Sequence, residues 1–183
     1  MGTPLGRRWG WRVTMSSARS PAGWEVRVGQ GFDVHRLTED PERPLVLGGC
    51  QFAGPLALEG HSDGDAVAHA VTEALLGAAG LGDIGERFPD TDPAFAGADS
   101  LELLREVADA VRAESWSIGN VDCSVICETP RLAPMRDQMQ SRLSTAAGAP
   151  VTVKGRRPEQ LGALGRGEGI ACFAVAVLTR GGV

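Results

Sequence analysis

Residues 61–83, HSDGDAVAHAVTEALLGAAGLGD, decide the architecture. Val67, Val71, Ala74, Leu75 and Ala78 recur at the three-and-four spacing of an amphipathic helix. Asp63 or Ser62 is placed to cap its start, and Gly80 or Gly82 to stop it. His69 lies two turns into this predicted helix, with Asp65 one turn before it and Glu73 one turn after, either of which can orient the ring. Upstream, EVRVGQG (25–31) alternates apolar and polar and reads as a strand, which runs directly into Asp33-Val34-His35. Side chains two apart in an extended chain point to the same side, so a carboxylate and an imidazole converge there.

Working outward, residues 36–44 and 53–60 read as loops around a short strand at Leu45 to Leu47. Residues 83–98 form a long loop with two prolines, and loops of that length tend to carry function. Asp99 and Glu102 fit a capping box before a second helix whose apolar side is Leu101, Leu104, Val107, Ala108 and Val111. Residues 119–127 read as a strand, Pro134 opens a third helix, and 151–154 read as another strand. Pro158 suits the first turn of a short helix over 158–164, and 170–178 reads as an apolar strand buried on both faces. This order predicts an α+β (or α/β) single domain over residues 25–183, a mixed sheet packed by about three helices on one face.

Residues 1–24 contain Arg7, Arg8, Arg12 and Arg19 and no acid. They read as a disordered extension or an upstream start, with Met15 as another start; a targeting peptide is the sharper alternative. They hold no clear apolar core, so secretion is not expected and the protein is assigned to the cytoplasm, with plastid or other targeting left open. The net charge of −5 and the lack of a basic stripe argue against nucleic acid. No run of about 18 apolar residues exists, so no membrane span is expected. Cys50, Cys123, Cys127 and Cys172 form no Cys-x-x-Cys pair and read as small buried hydrophobes in a reducing compartment.

The chain has three histidines, His35, His61 and His69. One aspartate with two imidazoles is a ligand set for zinc that leaves a fourth position open for chemistry. Taken alone, the same residues read equally well as hydrogen-bonded surface or core histidines.

Five strings carry a more specific signal: GFDVH (31–35), GHSDGDAVAHA (60–70), LLGAAGLGDIGERFPDTDPAFAGADS (75–100), GNVDCSVI (119–126) and GRGEGIA (165–171). From Arg27 to Leu178 the chain resembles the 2-C-methyl-D-erythritol 2,4-cyclodiphosphate synthase family of the non-mevalonate isoprenoid pathway. The resemblance implies a homotrimeric lyase with active sites between subunits. Its substrate would be a CDP-activated polyol phosphate, 4-diphosphocytidyl-2-C-methyl-D-erythritol 2-phosphate, cyclised with release of CMP. It implies zinc on Asp33, His35 and His69, substrate contacts from Asp33, His35, His61 and Ser62, and transition-state stabilisation by His61. It further implies polyol binding by Asp83, Ile84 and Gly85, and a mobile substrate loop at Phe88, Pro89, Asp90, Thr91 and Asp92. The cytidine pocket falls on Cys127, Pro130, Arg131, Leu132 and Ala133. Glu159 falls on the carboxylate that helps hold a second divalent ion, Mg²⁺ or Mn²⁺, and Arg166 on a phosphate contact.

The sequence departs from the family at Gly155-Arg156-Arg157-Pro158-Glu159, where Ala-Thr-Thr-Thr-Glu is usual. Arg157 occupies the catalytic position of a Thr that steadies the transferring phosphate, and Arg156 stands beside it on the substrate side. Ala163 and Leu164 replace Phe-Thr, Phe173 replaces an acid near the central channel, and Gln30 replaces a common His. The alternatives are a paralogue that cyclises another CDP-polyol phosphate, or a zinc-bearing trimer that binds nucleotide or isoprenoid diphosphate without turnover.

Overall fold

The computed structural model describes residues 23–181, so the expectation for residues 1–24 lies almost wholly outside the described residues. The elements in chain order are β1 (Glu25–Glu39), β2 (Leu45–Leu47), β3 (Cys50–Phe52), β4 (Leu56–Leu58), α1 (Ala66–Ala79) and α2 (Ile84–Arg87). A 3₁₀ turn (Pro93–Phe95), α3 (Ser100–Ala113), β5 (Ser117–Ile126), α4 (Arg136–Ala147), β6 (Val151–Arg156), α5 (Gly162–Gly165) and β7 (Gly169–Arg180) complete the chain. Five strands form one mixed sheet in the order β4-β1-β7-β5-β6, with only β5 and β6 parallel, while β2 and β3 form a separate hairpin. The result is the single α+β domain expected, with α1, α3 and α4 as its three long helices.

The seat of α1 on β1 positions everything that follows. Odd-numbered residues of β1 face the helix, and two of them are Gly29 and Gly31. A Cβ at Gly29 would lie 2.0 Å from the Ala74 carbonyl oxygen, and one at Gly31 2.0 Å from that of Ala70. The helix backbone therefore rests on the strand backbone, at a spacing only glycine permits. Ala66, Val67, Ala70, Val71, Leu75 and Leu76 are fully buried, and each Leu so buried contributes about 1.5–3 kcal/mol.

Several local expectations are corrected. The cap of α1 is Asp65, not Asp63 or Ser62: its side chain accepts from the Val67 and Ala68 N–H groups at 3.0 Å each. Gly80 ends the helix in the left-handed conformation, as expected. Residues 36–39, read as loop, extend β1, because Leu37, Thr38 and Glu39 pair with Leu58, Ala57 and Leu56 of β4, itself inside a second predicted loop. The long 83–98 loop contains α2 and the 3₁₀ turn. Asp99 does cap α3, but Glu102 pairs with Arg105 instead of closing a capping box. The third helix starts at Arg136, two residues past Pro134, and the short helix predicted over 158–164 is confined to Gly162–Gly165.

The central strand β7 is not buried on both faces. Its even positions are covered by helices, but Phe173 and Val175 remain exposed, beside Val26, Val28, Phe32 and Val34 of β1. The Phe32 and Phe173 rings lie 4.7 Å apart on this face. An uninterrupted apolar sequence thus reflects one packed face and one bare apolar face. Among the described residues, no helix is long and apolar enough to cross a membrane.

Gly31→Val tests the helix seat. Overpacking against an immovable carbonyl is expected to destabilise the fold by about 1–3 kcal/mol, read as a lower urea midpoint. An unchanged midpoint would show that α1 can lift from β1 without cost.

Candidate functional site

Asp33 and His35 project from β1 toward α1, and His69 descends from the first turn of α1 to meet them. Strand alternation makes the first two neighbours, and the close Gly31 contact brings the third within reach. His35 Nε2 lies 2.9 Å from Asp33 Oδ2, His69 Nδ1 lies 3.2 Å from the same oxygen, and the two ring nitrogens are 3.1 Å apart. A tetrahedral ion with ligand bonds of about 2.0–2.1 Å holds its ligand atoms roughly 3.3 Å apart, close to this triangle.

The outer ring nitrogens set the tautomers. His35 Nδ1–H donates to the Glu59 carbonyl at 2.5 Å, which leaves Nε2 a bare lone pair. Ser100 directs its hydroxyl proton to Asp63 Oδ1, so its oxygen accepts from His69 Nε2–H at 2.8 Å, with Ser62 Oγ at 3.1 Å. His69 Nδ1 is then bare as well. Two lone pairs and a carboxylate converge on one point, an arrangement that requires a proton or a cation between them. The residues present thus form a group fit to hold a divalent metal.

Burial pushes the Asp33 carboxyl upward, yet with the inner ring nitrogens protonated the hydrogen bonds from His35 and His69 bring it down to about 2. Burial also pushes the His35 imidazole down, but the Asp33 hydrogen bond and charge outweigh it and raise it above the ordinary histidine value. Neither carboxylate expected beside His69 orients its ring. Asp65 is spent on the Gly48, Gly49, Val67 and Ala68 N–H groups, and Glu73 accepts from the Ile84 N–H at 2.8 Å. The orienting groups, Ser100 and Asp63, were missed: a serine 31 positions away leaves no spacing signal.

The triad opens into a cavity of about 410 Å³ that His61, Ser62, Ile84, Gly85, Phe88 and Asp90 also line. His61 Nε2–H donates to the Asp92 carbonyl at 2.9 Å, which ties the ring to the loop carrying Phe88, Pro89, Asp90 and Thr91. Phe88 is buried against Phe95, with ring centroids 5.2 Å apart. Asp83 caps α2 with one carboxylate oxygen, Oδ1, which accepts from the Glu86 N–H.

A second cavity, about 350 Å³, gathers Cys127, Pro130, Arg131, Leu132, Ala133, Arg156 and Arg157, together with Glu128 and Arg136, which were not anticipated. Burial pushes the Cys127 thiol up to about 11, so it lines the cavity as a small neutral group. The two cavities share no lining residue. Glu159 and Arg166 line neither: Glu159 sits in a left-handed turn, and Arg166 pairs with Glu168 at 2.6 Å.

Fold and site together define an α+β protein with a cavity of about 410 Å³ on the open side of an Asp-His-His group fit to hold a divalent metal. The YgbB family model matches residues 26–179, and the chain belongs to that family. It is 51% identical over 158 residues to a 2-C-methyl-D-erythritol 2,4-cyclodiphosphate synthase from Edwardsiella ictaluri, covering 85% of this chain and 99% of that one. It is 54% identical over 156 residues to the enzyme of the same name from Laribacter hongkongensis, covering 84% and 95%. Among solved structures, the bifunctional IspDF from Campylobacter jejuni aligns with a TM-score of 0.81 at 42% identity, over 86% of this chain and 43% of that one. The CDP complex of IspF from Plasmodium falciparum aligns with a TM-score of 0.74 at 33% identity, over 89% and 100%.

Two outcomes check the centre. Ser100→Ala is expected to weaken zinc binding by roughly 10–100-fold, measured by competition with a chelator. The raised His35 value means its pairing with Asp33 stabilises the metal-free fold below the unfolded value of about 6.5 and is lost as pH rises through the folded value. Metal must displace that proton, so metal affinity is expected to fall as pH drops through the same window; a flat profile between about pH 6 and pH 8 would contradict it.

Proposed function

We propose that the chain converts 4-diphosphocytidyl-2-C-methyl-D-erythritol 2-phosphate to 2-C-methyl-D-erythritol 2,4-cyclodiphosphate and releases CMP. The observation that carries this reading is the converging Asp33-His35-His69 triangle at the mouth of a cavity lined by His61, Ser62, Ile84 and Gly85. Relatives at about half identity over nearly their whole length carry the synthase name.

A divalent cation on the triad, which we read as zinc from its two imidazoles and one carboxylate, supplies Lewis-acid neutralisation of phosphate charge. A second divalent ion, Mg²⁺ or Mn²⁺, would be held by Glu159 with substrate oxygens. The residues of the chain supply position. Asp83 Oδ2 is left to accept a polyol hydroxyl, because Oδ1 is engaged by the Glu86 N–H. The backbone of Ile84 and Gly85 flanks it. His61 and Ser62 border the diphosphate, and Phe88 to Asp92 close over the polyol. An oxygen of the 2-phosphate attacks the β-phosphorus, the bond from that phosphorus to the CMP oxygen breaks, and CMP departs. The reaction is intramolecular, so orientation can contribute on the order of 7–11 kcal/mol without any protein nucleophile.

The cytidine would lie against Cys127 and Pro130 to Ala133, with Arg156, Arg157 and Arg166 toward the phosphates. We further propose that residues 25–183 act as one domain in a homotrimer whose neighbours join the two cavities into one site. The exposed apolar face of Val26, Val28, Phe32, Val34, Phe173 and Val175 supports this, since a large bare apolar patch marks an association surface. The four free, buried cysteines suit the reducing cytoplasm. A second reading, turnover of a different CDP-polyol phosphate, draws on the Arg156-Arg157-Pro158 departure.

The test is incubation with the methylerythritol substrate, zinc and Mg²⁺, followed by phosphorus NMR. Two coupled cyclic-diphosphate resonances with equimolar CMP are expected. CMP release only from another polyol would support the second reading, and no CMP from any such substrate would overturn the enzymatic reading.

A further inference from the structure

The arginine-lined cavity holds a feature that the proposed reaction leaves unused. Arg131, Arg136, Arg156 and Arg157 line it, and its one acid is Glu128. The chain as a whole carries −5, so this concentration of cations runs against the bulk charge, and a cavity walled by one sign draws in the opposite one. Among the described residues the ion pairs join Arg136 to Asp137 and Arg157 to Glu128, and give Arg131 and Arg156 no acid.

Glu128 is built in more firmly than the arginine it holds. Its side chain is 18% exposed against 60% for that of Arg157. Oε1 accepts from Arg157 Nη2, and Oε2 accepts the Gln160 N–H at 3.4 Å. Glu159 and Gln160 have φ of 54° and 61°, a left-handed run that side-chain-bearing residues avoid. Glu128 thus grips both the guanidinium and the turn that carries Glu159. Carboxylate and phosphate offer a guanidinium the same paired-oxygen geometry, but phosphate carries more charge. The Arg157 side of the pair is exposed, so the pair contributes little by itself and its acid can be exchanged for a stronger anion at small cost.

We infer that Glu128 is a resident counter-ion: it occupies the Arg157 guanidinium in place of a phosphate and yields it to the diphosphate of an arriving nucleotide. The inference rests on reading this cavity as the nucleotide site. Glu128 is then a specificity-setting residue, since only a ligand bearing phosphate completes the exchange. Arg157 becomes a phosphate reader, while Glu128 Oε2 keeps the Gln160 N–H.

The experiment is calorimetric titration of the full chain in magnesium-free buffer with CDP and, separately, with cytidine. Glu128→Gln keeps an acceptor for Gln160 but removes the competing charge, and is expected to bind CDP about fivefold tighter with cytidine unchanged. Arg157→Thr is expected to bind CDP about tenfold weaker, again with cytidine unchanged. The gain from Glu128→Gln should vanish in the Arg157→Thr background. CDP binding no tighter in Glu128→Gln, or a proportional loss of CDP and cytidine in Arg157→Thr, would overturn the exchange. If the unaltered chain binds neither ligand, the nucleotide reading itself fails and the exchange falls with it.

Discussion

The contact between two backbones, that of α1 and that of β1, is the constraint on which the site depends. Gly29 and Gly31 present no side chain to the helix, and the Ala70 and Ala74 carbonyls take the space a Cβ would need. A helix seated at ordinary distance would carry His69 away from Asp33 and His35. The triad is therefore positioned by packing and not by its own attraction alone. Without a proton or cation between them, the Asp33 carboxylate and two imidazole lone pairs face one another, held at short range by packing that is apolar and sterically tight. A proton on His35 turns this into a favourable pairing with Asp33, and a cation at the same point would do likewise.

Asp65 serves the same end from the other side. Its buried carboxylate caps α1 and accepts the Gly48 and Gly49 N–H groups at 2.8 and 2.6 Å, which fastens the β2–β3 hairpin to the helix start. Burial pushes this carboxyl up, and the N–H donors of Ala68, Gly49 and Gly48 offset only part of that cost. Asp63, two residues earlier, takes the Ser100 hydroxyl and N–H, so the start of α3 is tied to the same turn. One short segment thus fixes where α1 begins, where α3 begins, and which His69 nitrogen carries the proton. The metal centre inherits its geometry from helix caps.

The fold class, the three long helices and the convergence of Asp33 and His35 were legible because each rests on local periodicity. The strand period of two puts Asp33 beside His35 whatever the tertiary structure. The short strands and the cap were less legible. Leu56 to Leu58 becomes a strand only because the end of β1 supplies a partner, and Asp65 wins the cap over Asp63 through two hairpin N–H groups 16 and 17 residues away. Likewise, Ile170 to Leu178 is apolar on both faces, and composition cannot separate a face covered by the chain's own helices from one left bare. Ser100 and Glu128 leave no trace in spacing, since each acts on a residue about thirty positions distant.

The two cavities divide the chemical work by charge. Around the triad the fixed protein charges are acidic, and a metal must reverse that sign before an anion can enter. Around Arg156 and Arg157 the positive charge is covalent and permanent, and Glu128 offsets that of Arg157. The departures at Arg156, Arg157 and Pro158 leave the triad and its orienting groups intact and change only the neighbourhood of the arginine-lined cavity. On the proposed reading of that cavity, such a change alters how strongly the leaving nucleotide is held more than how the β-phosphorus is presented. On the same reading, the cost of the extra arginines falls on CMP departure, which Glu128 would ease by reclaiming Arg157 as the ligand leaves.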